Sequence, residues 1–436
     1  MANNIVAALD VGSSKINAII ATLEEGKLPN VIGVATYPSK GLKKGVIVNI
    51  EEAINSVAEA IEAAERMAGL TISSVYVSIN GKHITSTNNR GVVAVAQDEI
   101  VTDDIFRAIE SARTVSIPPS REILHVIPRQ FSVDTQGGIK DPVGMSGTRL
   151  EVDAHIISAT TTALHNLVKV VQQLGLKVDD IVFSGWAASS AVLTNTEKEL
   201  GVMLLDIGGG TTSITTFVED AITYSGSVPF GGSNVTSDLA IGLRISIEDA
   251  EKIKVNADEL SKITKEKKKS STKSKDEKED EKKKSKEKEK SDLIDVSSLN
   301  IEGTNTLSKK LFDEIIEARL SEIFDLVLSQ VEQSRNEARL PAGIVITGGS
   351  SLLPNVTSIA KKVFGVPARV GYPKGLEGLV DEINNPAYSV GQGLILYASQ
   401  DEWNMGGAMG LREGPSKRKG GGIFKGISGF FKNLMP

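Results

Sequence analysis

Cysteine and long apolar runs are both missing from this chain. None of its 436 residues is cysteine, which excludes disulfide bonds, thiolate metal sites and a cysteine nucleophile. No apolar stretch approaches the roughly 18 residues of a membrane-crossing helix, so any membrane attachment is expected to be peripheral. The N-terminal residues lack a basic segment followed by a cleavage site, and no secretory signal is expected. These absences favour a cytoplasmic protein.

Other common functional signatures are absent as well. A net charge of −6 argues against a general nucleic-acid binder. The four histidines, His83, His125, His155 and His165, lack the spacing of metal ligands, and no Ser/His/Asp set can be argued from the sequence. Neither a G-x-x-x-x-G-K-[ST] P-loop nor a G-x-G-x-x-G turn opening a helix occurs, which disfavours the two commonest nucleotide-binding folds.

The order of apolar segments indicates an α/β protein with two lobes. Residues 4–9, 14–23 and 74–79 are predicted strands, and residues 51–68 have the apolar spacing of a helix with one buried face. A second, long helix is predicted over residues 307–337, with apolar positions that include Leu311 and Leu326 facing the core. A chain of this length exceeds what one hydrophobic core usually organises.

Changes in composition divide the chain further. A stretch punctuated by Gly and Pro, with one helix near residues 103–114, is typical of an inserted subdomain. A segment of Lys, Glu, Asp and Ser buries too little apolar surface to offset an ordering cost of roughly 1–2 kcal/mol per residue, so a disordered insertion is expected, with a nucleic-acid or lipid arm as the alternative. The predicted units are a first lobe of residues 1–85 and 160–200, an inserted subdomain of 86–159, a second lobe of 201–400 with the disordered insertion at 262–292, a flexible linker of 401–421 and a terminal amphipathic helix of 422–436.

Two segments share the design of a phosphate-binding hairpin. Each ends one strand and opens the next, with an aspartate before a glycine-containing turn whose backbone N–H groups form an anion-binding concavity. Hydroxyl groups and one lysine add donors, while Asp10 and Asp206 offer oxygen to Mg²⁺, mostly through its waters. The residues predicted to bind phosphate or magnesium here are Asp10, Gly12, Ser13, Ser14, Lys15, Asp206, Gly208, Gly209, Gly210, Thr211 and Thr212.

Two later segments supply candidate contacts for a nucleoside. Gly348, Gly349 and Ser350 follow a buried-looking strand, and paired glycines allow a flat base to approach the backbone. Glu251 and Lys254 lie three residues apart on one predicted helical face, where they could hold a ribose or form an ordinary surface pair. Together with the missing P-loop, this arrangement points to the actin-like ATPase superfamily, with ATP and Mg²⁺ as cofactors.

Within that superfamily the inserted segment resembles one family in particular. Residues 125–131, 133–134 and 141–151 are similar to the subdomain, called 1C, that the FtsA family carries in place of actin subdomain 1B. Residues 228–232 and 235–240 are similar to FtsA as well, and the matches run from residue 5 to residue 398 with a break at the Lys-rich insertion. The expected fold is therefore an actin-like ATPase of two lobes with an FtsA-type subdomain and a C-terminal amphipathic helix.

The resemblance implies a function as well as a fold. It implies an ATP-binding, filament-forming adaptor that ties the FtsZ ring to the cytoplasmic face of the membrane at the division site and recruits other division proteins through the inserted subdomain. The C-terminal peptide of FtsZ would dock on the second lobe, where Arg319 matches a basic position that the family uses; a solvent-facing helical arginine is the alternative. Any ATPase activity would be weak, and its catalytic residue is not predicted.

Two departures from the expected pattern bear on that reading. Residues 184–188, Ser-Gly-Trp-Ala-Ala, lack the proline that many actin-like chains have before the second hairpin, which leaves the catalytic geometry there open. The Lys-rich insertion replaces a short connection in the second lobe, near the partner surface, and could alter how a partner fits.

The last residues of the chain have an amphipathic pattern suited to a membrane surface. At about 100° per residue, six large apolar side chains fall within an arc of roughly 120°, with Lys425 and Lys432 opposite. The residues predicted to bind anionic lipid are Ile423, Phe424, Lys425, Ile427, Phe430, Phe431, Lys432 and Leu434. Glycines at 426 and 429 weaken the helix, so one copy should bind only marginally and polymerisation should strengthen the anchor.

Two other functional classes remain open from the residues alone. An actin-fold sugar or acetate kinase would hold a phosphoryl acceptor between the lobes, but it has no use for an amphipathic tail. A pilus-assembly relative would share the nucleotide hairpins, but it is not expected to carry this C-terminal anchor.

Overall fold

The computed structural model describes residues 4–257, 293–301, 305–334 and 339–409, and only the backbone of 401–409. The predicted insertion at 262–292 and the terminal helix at 422–436 lie outside these ranges.

Strands and helices alternate along the described chain. The strands are β1 (Asn4–Val11), β2 (Lys15–Leu23), β3 (Asn30–Pro38), β4 (Leu42–Lys43), β5 (Val46–Ile47), β6 (Ser74–Ile79), β7 (Thr85–Ala94), β8 (Arg121–Val133), β9 (Gln136–Ile139), β10 (Arg149–Thr160), β11 (Lys177–Phe183), β12 (Val202–Ile207), β13 (Thr212–Val218), β14 (Ala221–Val228), β15 (Leu293–Asp295), β16 (Thr306–Ser308), β17 (Ile344–Thr347), β18 (Ala368–Val370) and β19 (Glu377–Gly378). The helices are α1 (Ile50–Ala68), α2 (Thr102–Arg113), α3 (Thr161–Gln173), α4 (Ser184–Val192), α5 (Asn195–Leu200), α6 (Gly232–Leu243), α7 (Ile247–Val255), α8 (Lys309–Gln333), α9 (Val356–Phe364), α10 (Val380–Ile383) and α11 (Ser389–Met409), with short 3-10 turns at Ser297–Leu299, Gly349–Leu352 and Pro386–Tyr388.

The first lobe is built on a mixed sheet with the strand order β11-β6-β1-β2-β3-β19. Helix α1 packs on it through Ala53, Val57, Ala60 and Ala64, the stripe expected from the sequence. The Asn49 side chain accepts from the Glu52 N–H at the start of this helix, and Gly69 ends it with φ 69°, the left-handed conformation that glycine adopts without strain.

The second lobe repeats the design of the first. Its sheet has the order β14-β13-β12-β17-β18, which matches β3-β2-β1-β6-β11 strand for strand. In each sheet an antiparallel hairpin, β1–β2 or β12–β13, is joined at its first strand by a parallel strand, β6 or β17. Because the carboxyl ends of β1 and β6, or of β12 and β17, lie at one edge, each lobe presents one turn and one strand end to the space between the lobes.

The inserted subdomain has its own sheet, β7-β10-β8-β9, covered by α2. It has a separate apolar core that includes Ile105, Phe131 and Val152. The subdomain contacts the second lobe through His155, whose Nε2 lies 3.0 Å from the Ser225 hydroxyl and whose Nδ1 lies 2.7 Å from Asn88 Oδ1. Burial lowers the pKa of His155 to about 3, so this contact holds a neutral ring.

The chain returns to the first lobe at its end, which corrects the predicted division at residue 400. Strand β19 pairs with β3, and Val390, Leu394 and Ala398 of α11 lie in the first-lobe core. Helix α11 also runs to Met409, whereas a linker was expected from residue 401. The physical reason is that the sequence has no proline between Pro386 and Pro415 that would break the helix.

The long helix of the second lobe is shorter than predicted and buries a shifted stripe. Residue 307 belongs to β16, and α8 ends at Gln333. Leu311 and Leu326 are 40% and 37% exposed, contrary to expectation. The core is formed instead by Phe312, Ile316, Leu320, Ile323, Phe324, Val327 and Val331.

Among the helices described, none combines the length and apolarity that a membrane crossing requires.

We expect Gly393→Ala to destabilise the protein, although alanine normally favours a helix over glycine by about 1 kcal/mol. A Cβ at this position of α11 would overlap the Ala187 carbonyl of α4 and lie 3.0 Å from the Ala188 nitrogen, and backbone cannot rotate away. Overpacking of this kind costs typically about 1–3 kcal/mol, which chemical denaturation would detect. The matched variant Gly391→Ala meets only the terminal carbon of Ile19, at 2.9 Å, and should cost clearly less; equal effects would contradict the packing account.

Candidate nucleotide-binding site

The two predicted hairpins have the same turn. The Gly12 N–H donates to the Lys15 carbonyl at 3.1 Å, and the Gly208 N–H donates to the Thr211 carbonyl at 2.9 Å. In both hairpins the aspartate lies two residues before the turn, with Asp10 opposite Asn17 and Asp206 opposite Ser213. The backbone therefore presents two equivalent loops, one from each lobe.

The loops face a shared cavity of about 360 Å³ between the lobes. Their tips touch, because a Cβ on Gly209 would lie 2.6 Å from Ser14 Oγ and one on Gly210 would lie 3.0 Å from Ser13 Oγ. The predicted residues that line the cavity are Asp10, Gly12, Ser13, Ser14, Lys15, Asp206, Gly208, Gly209, Thr211, Glu251, Lys254, Gly348, Gly349 and Ser350. The structure thus brings together four segments that are far apart in sequence.

Gly210 and Thr212 take other positions than the sequence suggested. Neither lines the cavity. The Thr212 side chain is fully buried, and its hydroxyl donates to the Phe230 carbonyl at 2.9 Å. Gly210 lies against Ser13 and the amide of Lys44. Gly210 therefore contacts the first lobe, whereas Thr212 ties the second hairpin to the segment before α6.

Both aspartates line the cavity, Asp206 buried and Asp10 partly buried. Burial raises the pKa of Asp10, although its carboxylate accepts from Ser78 Oγ at 2.8 Å and from Asn17 Nδ2 at 3.2 Å. Burial, reinforced by the negative charge of Asp10, raises the pKa of Asp206 to about 7, against an opposing attraction from Lys15. Within the described ranges no side chain donates a hydrogen bond to Asp206, so its oxygens are available to a ligand.

Lys15 supplies the positive charge of this region. Burial lowers its pKa, opposed by the attraction of Asp10 and Asp206. Its ammonium lies 4.7 Å from the centre of the Tyr388 ring, a cation–π contact that holds the side chain at the cavity wall. Two buried carboxylates with one lysine leave the site short of positive charge, which favours a cation between them.

The segment that follows β17, residues 348–350, also lines the cavity. Gly348 has φ 84°, and a Cβ there would lie 2.6 Å from the Ile207 carbonyl and against Asp206, so only glycine fits. Ser350 Oγ donates to the Gly208 carbonyl at 3.2 Å, which ties this segment to the second hairpin.

Glu251 and Lys254 form more than a surface pair. The Lys254 ammonium donates to Glu251 at 2.6 Å, to Thr236 Oγ1 at 2.8 Å and to the Gly232 carbonyl at 3.2 Å. Its side chain is 10% exposed, against 48% for Glu251. Lys254 therefore anchors α7 to the first turn of α6, while Glu251 stays open to the cavity. Close by, Val255 and Leu352 line the cavity with 69% and 39% of their surface exposed.

Asn80 is a functional candidate that the sequence analysis missed. Its Nδ2 donates to Thr211 Oγ1 at 2.8 Å, and its Oδ1 accepts from Ser227 Oγ at 3.0 Å. It thereby joins the end of β6 to the second hairpin across the lobes. Its position, directly after a buried strand that runs parallel to β1, was the signal that could have identified it.

Arg319 lies on α8 and faces α6. Its guanidinium donates to Asp238 at 2.5 and 2.9 Å and to Glu322 at 2.6 Å. Two exposed apolar residues flank the same pair of helices, Ile241 at 77% and Leu311 at 40% exposure. The arginine is therefore held against α6 by Asp238 rather than projecting freely into solvent.

Comparison with known proteins agrees with this architecture. Residues 81–158 match the family model described as the SHS2 domain inserted in FTSA, and residues 203–393 match the model for cell division protein FtsA. The chain is 38% identical over 398 residues to cell division protein FtsA of Pseudomonas aeruginosa, covering 91% of this chain and 90% of the relative. It is 36% identical over 417 residues to FtsA of Bacillus subtilis, covering 94% and 87%.

Solved structures share the fold at much lower identity. A PilM-PilN type IV pilus biogenesis complex superimposes with a TM-score of 0.58 at 15% identity, covering 90% of this chain and 98% of that one. MreB 5 of Spiroplasma citri bound to AMPPNP gives a TM-score of 0.51 at 14% identity, covering 94% and 100%. The fold is therefore actin-like, with the FtsA-type insertion, and the chain belongs to the FtsA family of cell-division proteins.

Proposed function

We propose that this chain is an ATP-binding, filament-forming adaptor that ties the FtsZ ring to the cytoplasmic face of the membrane at the division site. Other division proteins would join through the inserted subdomain. The observation that carries the proposal is the pair of equivalent hairpins, one from each lobe, that face a single cavity with two buried carboxylates. A ligand held by both hairpins would fix the lobes relative to each other, which a stackable protomer requires.

The cavity fits ATP in one orientation. The phosphates would lie between the loops at residues 12–15 and 208–211, where backbone N–H groups and the Lys15 ammonium supply donors. The base would lie over Gly348 and Gly349 beside the exposed apolar surfaces of Val255 and Leu352, and Glu251 would accept a ribose hydroxyl.

The donor set also fits Mg²⁺. The described residues hold no cluster of three or more histidine or acidic side chains that would form an all-protein metal cage. Two carboxylates near phosphates, Asp10 and Asp206, suit a hydrated ion that keeps several waters. When bound, the ion would neutralise phosphate charge, and the two aspartates would orient its waters.

Weak hydrolysis is the most that this site supports. The carboxylates that line the cavity are Asp10, Asp206 and Glu251. The first two are placed to hold magnesium, and Glu251 lies on α7 with the proposed ribose site. At the end of β11, Ser184 Oγ lies 3.1 Å from Ser213 Oγ, and this hydroxyl offers no general base. The principal role is therefore structural, and the actin-fold kinase is disfavoured.

A pilus-assembly role is disfavoured as well. The likeness to the PilM-PilN complex, at 15% identity, extends to the fold alone, whereas the sequence matches at 38% and 36% identity are to cell division protein FtsA.

We expect Asp206→Asn to weaken magnesium-dependent ATP binding at least tenfold, and to reduce its pH dependence. Because the pKa of Asp206 is raised to about 7, the parent carboxyl must lose a proton to bind the ion, and affinity should rise from pH 6 to pH 8. Calorimetric titration of Mg-ATP at both pH values measures this, with Asp103→Asn on exposed α2 as the control. Equal pH dependence in parent and Asp206→Asn would exclude the assigned role.

The groove between α6 and α8 is the proposed dock for the FtsZ C-terminal peptide. Arg319, fixed by Asp238, offers a guanidinium to an acidic group, while Ile241 and Leu311 offer apolar surface beside it. Such anchors, an arginine with exposed apolar neighbours, are typical of binding hot spots.

We expect Ile241→Asp to reduce FtsZ-peptide affinity by at least tenfold without changing stability, because Ile241 is 77% exposed and a carboxylate there repels an acidic peptide. The matched variant is Ile247→Asp, on α7 and 61% exposed, which should bind like the parent. Fluorescence anisotropy with a labelled FtsZ C-terminal peptide measures both; equal loss in the two variants would place the peptide elsewhere.

The proposed attachment to the membrane depends on residues 422–436. We expect Phe430→Glu with Phe431→Glu to release the protein from anionic vesicles while Mg-ATP binding stays unchanged. Each Phe buried at the interface contributes roughly 1.5–3 kcal/mol, and the new carboxylates repel anionic headgroups. Co-sedimentation at low protein concentration, where filaments do not form, measures the single anchor. If the double variant pellets like the parent there, the tail is not the anchor.

A further inference from the structure

A second cavity, larger than the nucleotide site, lies elsewhere in the described chain. A cleft of about 830 Å³ lies where the inserted subdomain, α4 and α11 of the first lobe, and the β13–β14 turn of the second lobe meet. We call it the junction cleft. Nothing in the proposed ATP or FtsZ binding uses it.

Aromatic and apolar side chains line the junction cleft. Trp186 lies edge-on to Tyr397, with ring centres 5.3 Å apart, and Phe217 and Leu200 line the same space. Leu200 is 55% exposed. Aromatic walls of this kind favour an apolar occupant with aromatic groups of its own.

Three exposed acidic side chains, Glu199, Glu219 and Asp220, line the rim of the cleft. Lys140, 3.6 Å from Glu199 and 3.9 Å from Asp220, and Lys198 line it as well. Elsewhere in the lining, the Nε of Arg129 is buried without a hydrogen-bond partner. An aromatic segment that carries lysines suits this lining, because its lysines can pair with the three carboxylates and its rings can stack on the guanidinium.

The chain itself carries such a segment within reach. Tyr397 and Gln400 of α11 line the cleft, and the helix ends at Met409, about 14 Å further along at 1.5 Å per residue. Residues 410–421 include four glycines, and in general a Gly-rich chain of twelve residues has an average end-to-end distance of about 20 Å. Residues 422–436 are therefore presented to the cleft at an effective concentration on the order of millimolar.

We infer that the junction cleft receives the chain's own residues 422–436 when no membrane is present, so that cleft docking and membrane binding exclude each other. This rests on the proposed membrane-binding tail. In the docked state, Phe430 and Phe431 would pack against Trp186 and Tyr397. In the membrane-bound state, the same two side chains would enter the lipid. Docking would also place the tail at the junction of all three units.

The absence of cysteine makes disulfide trapping a clean test in the full-length chain. Leu200→Cys on the cleft wall is combined with Asn433→Cys in the tail. The control pair replaces Leu200→Cys by Met67→Cys, which is 52% exposed on α1 and does not line the cleft. Under mild oxidation at low concentration, we expect the cleft pair to form an intramolecular disulfide at least tenfold faster than the control pair. Phosphatidylglycerol vesicles should slow it to the control rate.

Three outcomes would overturn the inference: equal rates for the two pairs, a product made only between two molecules, or vesicles that bind the protein without slowing the reaction. Adding Phe430→Glu with Phe431→Glu to the cleft pair should also reduce the rate to the control level. The two experiments can distinguish failure of the docking inference from failure of the proposed membrane attachment. A trapped tail in a protein that does not pellet with vesicles supports docking and removes the anchor, whereas pelleting without trapping does the reverse.

Discussion

The rest of the structure depends on one constraint, which is that the carboxylates of Asp10 and Asp206 are held close together between the lobes. Asp206 is buried and Asp10 partly buried between the lobes, and the positive charge of Lys15 attracts both carboxylates. A folded-state pKa raised above the ordinary value means that the folded protein keeps a proton that the unfolded chain has lost. Stability from Asp206 is therefore present below about pH 4 and lost as the pH rises to about 7. A magnesium ion between the two carboxylates would offset this loss, because its positive charge favours their ionised form.

The same geometry explains why the lobes act together. The hairpin tips touch at Gly209 and Ser14, and Asn80 joins the first lobe to Thr211 of the second. Asn80 lies one residue before the inserted subdomain, which in turn contacts Ser225 through His155. Two separate hydrogen bonds therefore tie the second lobe to the subdomain and to the residue that precedes it.

Much of this could be predicted from the sequence, because glycine turns after apolar strands leave a local pattern. The hairpins at Asp10 and Asp206 and the Gly348 turn were recognised in that way. Asn17 and Tyr388 could not be, because their roles depend on which strands lie side by side and on where the 3-10 turn at Pro386–Tyr388 returns to the first lobe. Thr212 was misplaced for a related reason: alternate residues of a strand point to opposite faces, and it is the first residue of β13.

The central claim is that one nucleotide is held by both lobes at once. Hydrogen–deuterium exchange of the backbone amides at residues 12–15 and 208–211, with and without Mg-ATP, tests it directly. The account predicts that both loops become protected together, at the same nucleotide concentration, and that the loop at Gly26, away from the site, is unchanged. Protection of one loop without the other, or of neither, would contradict it.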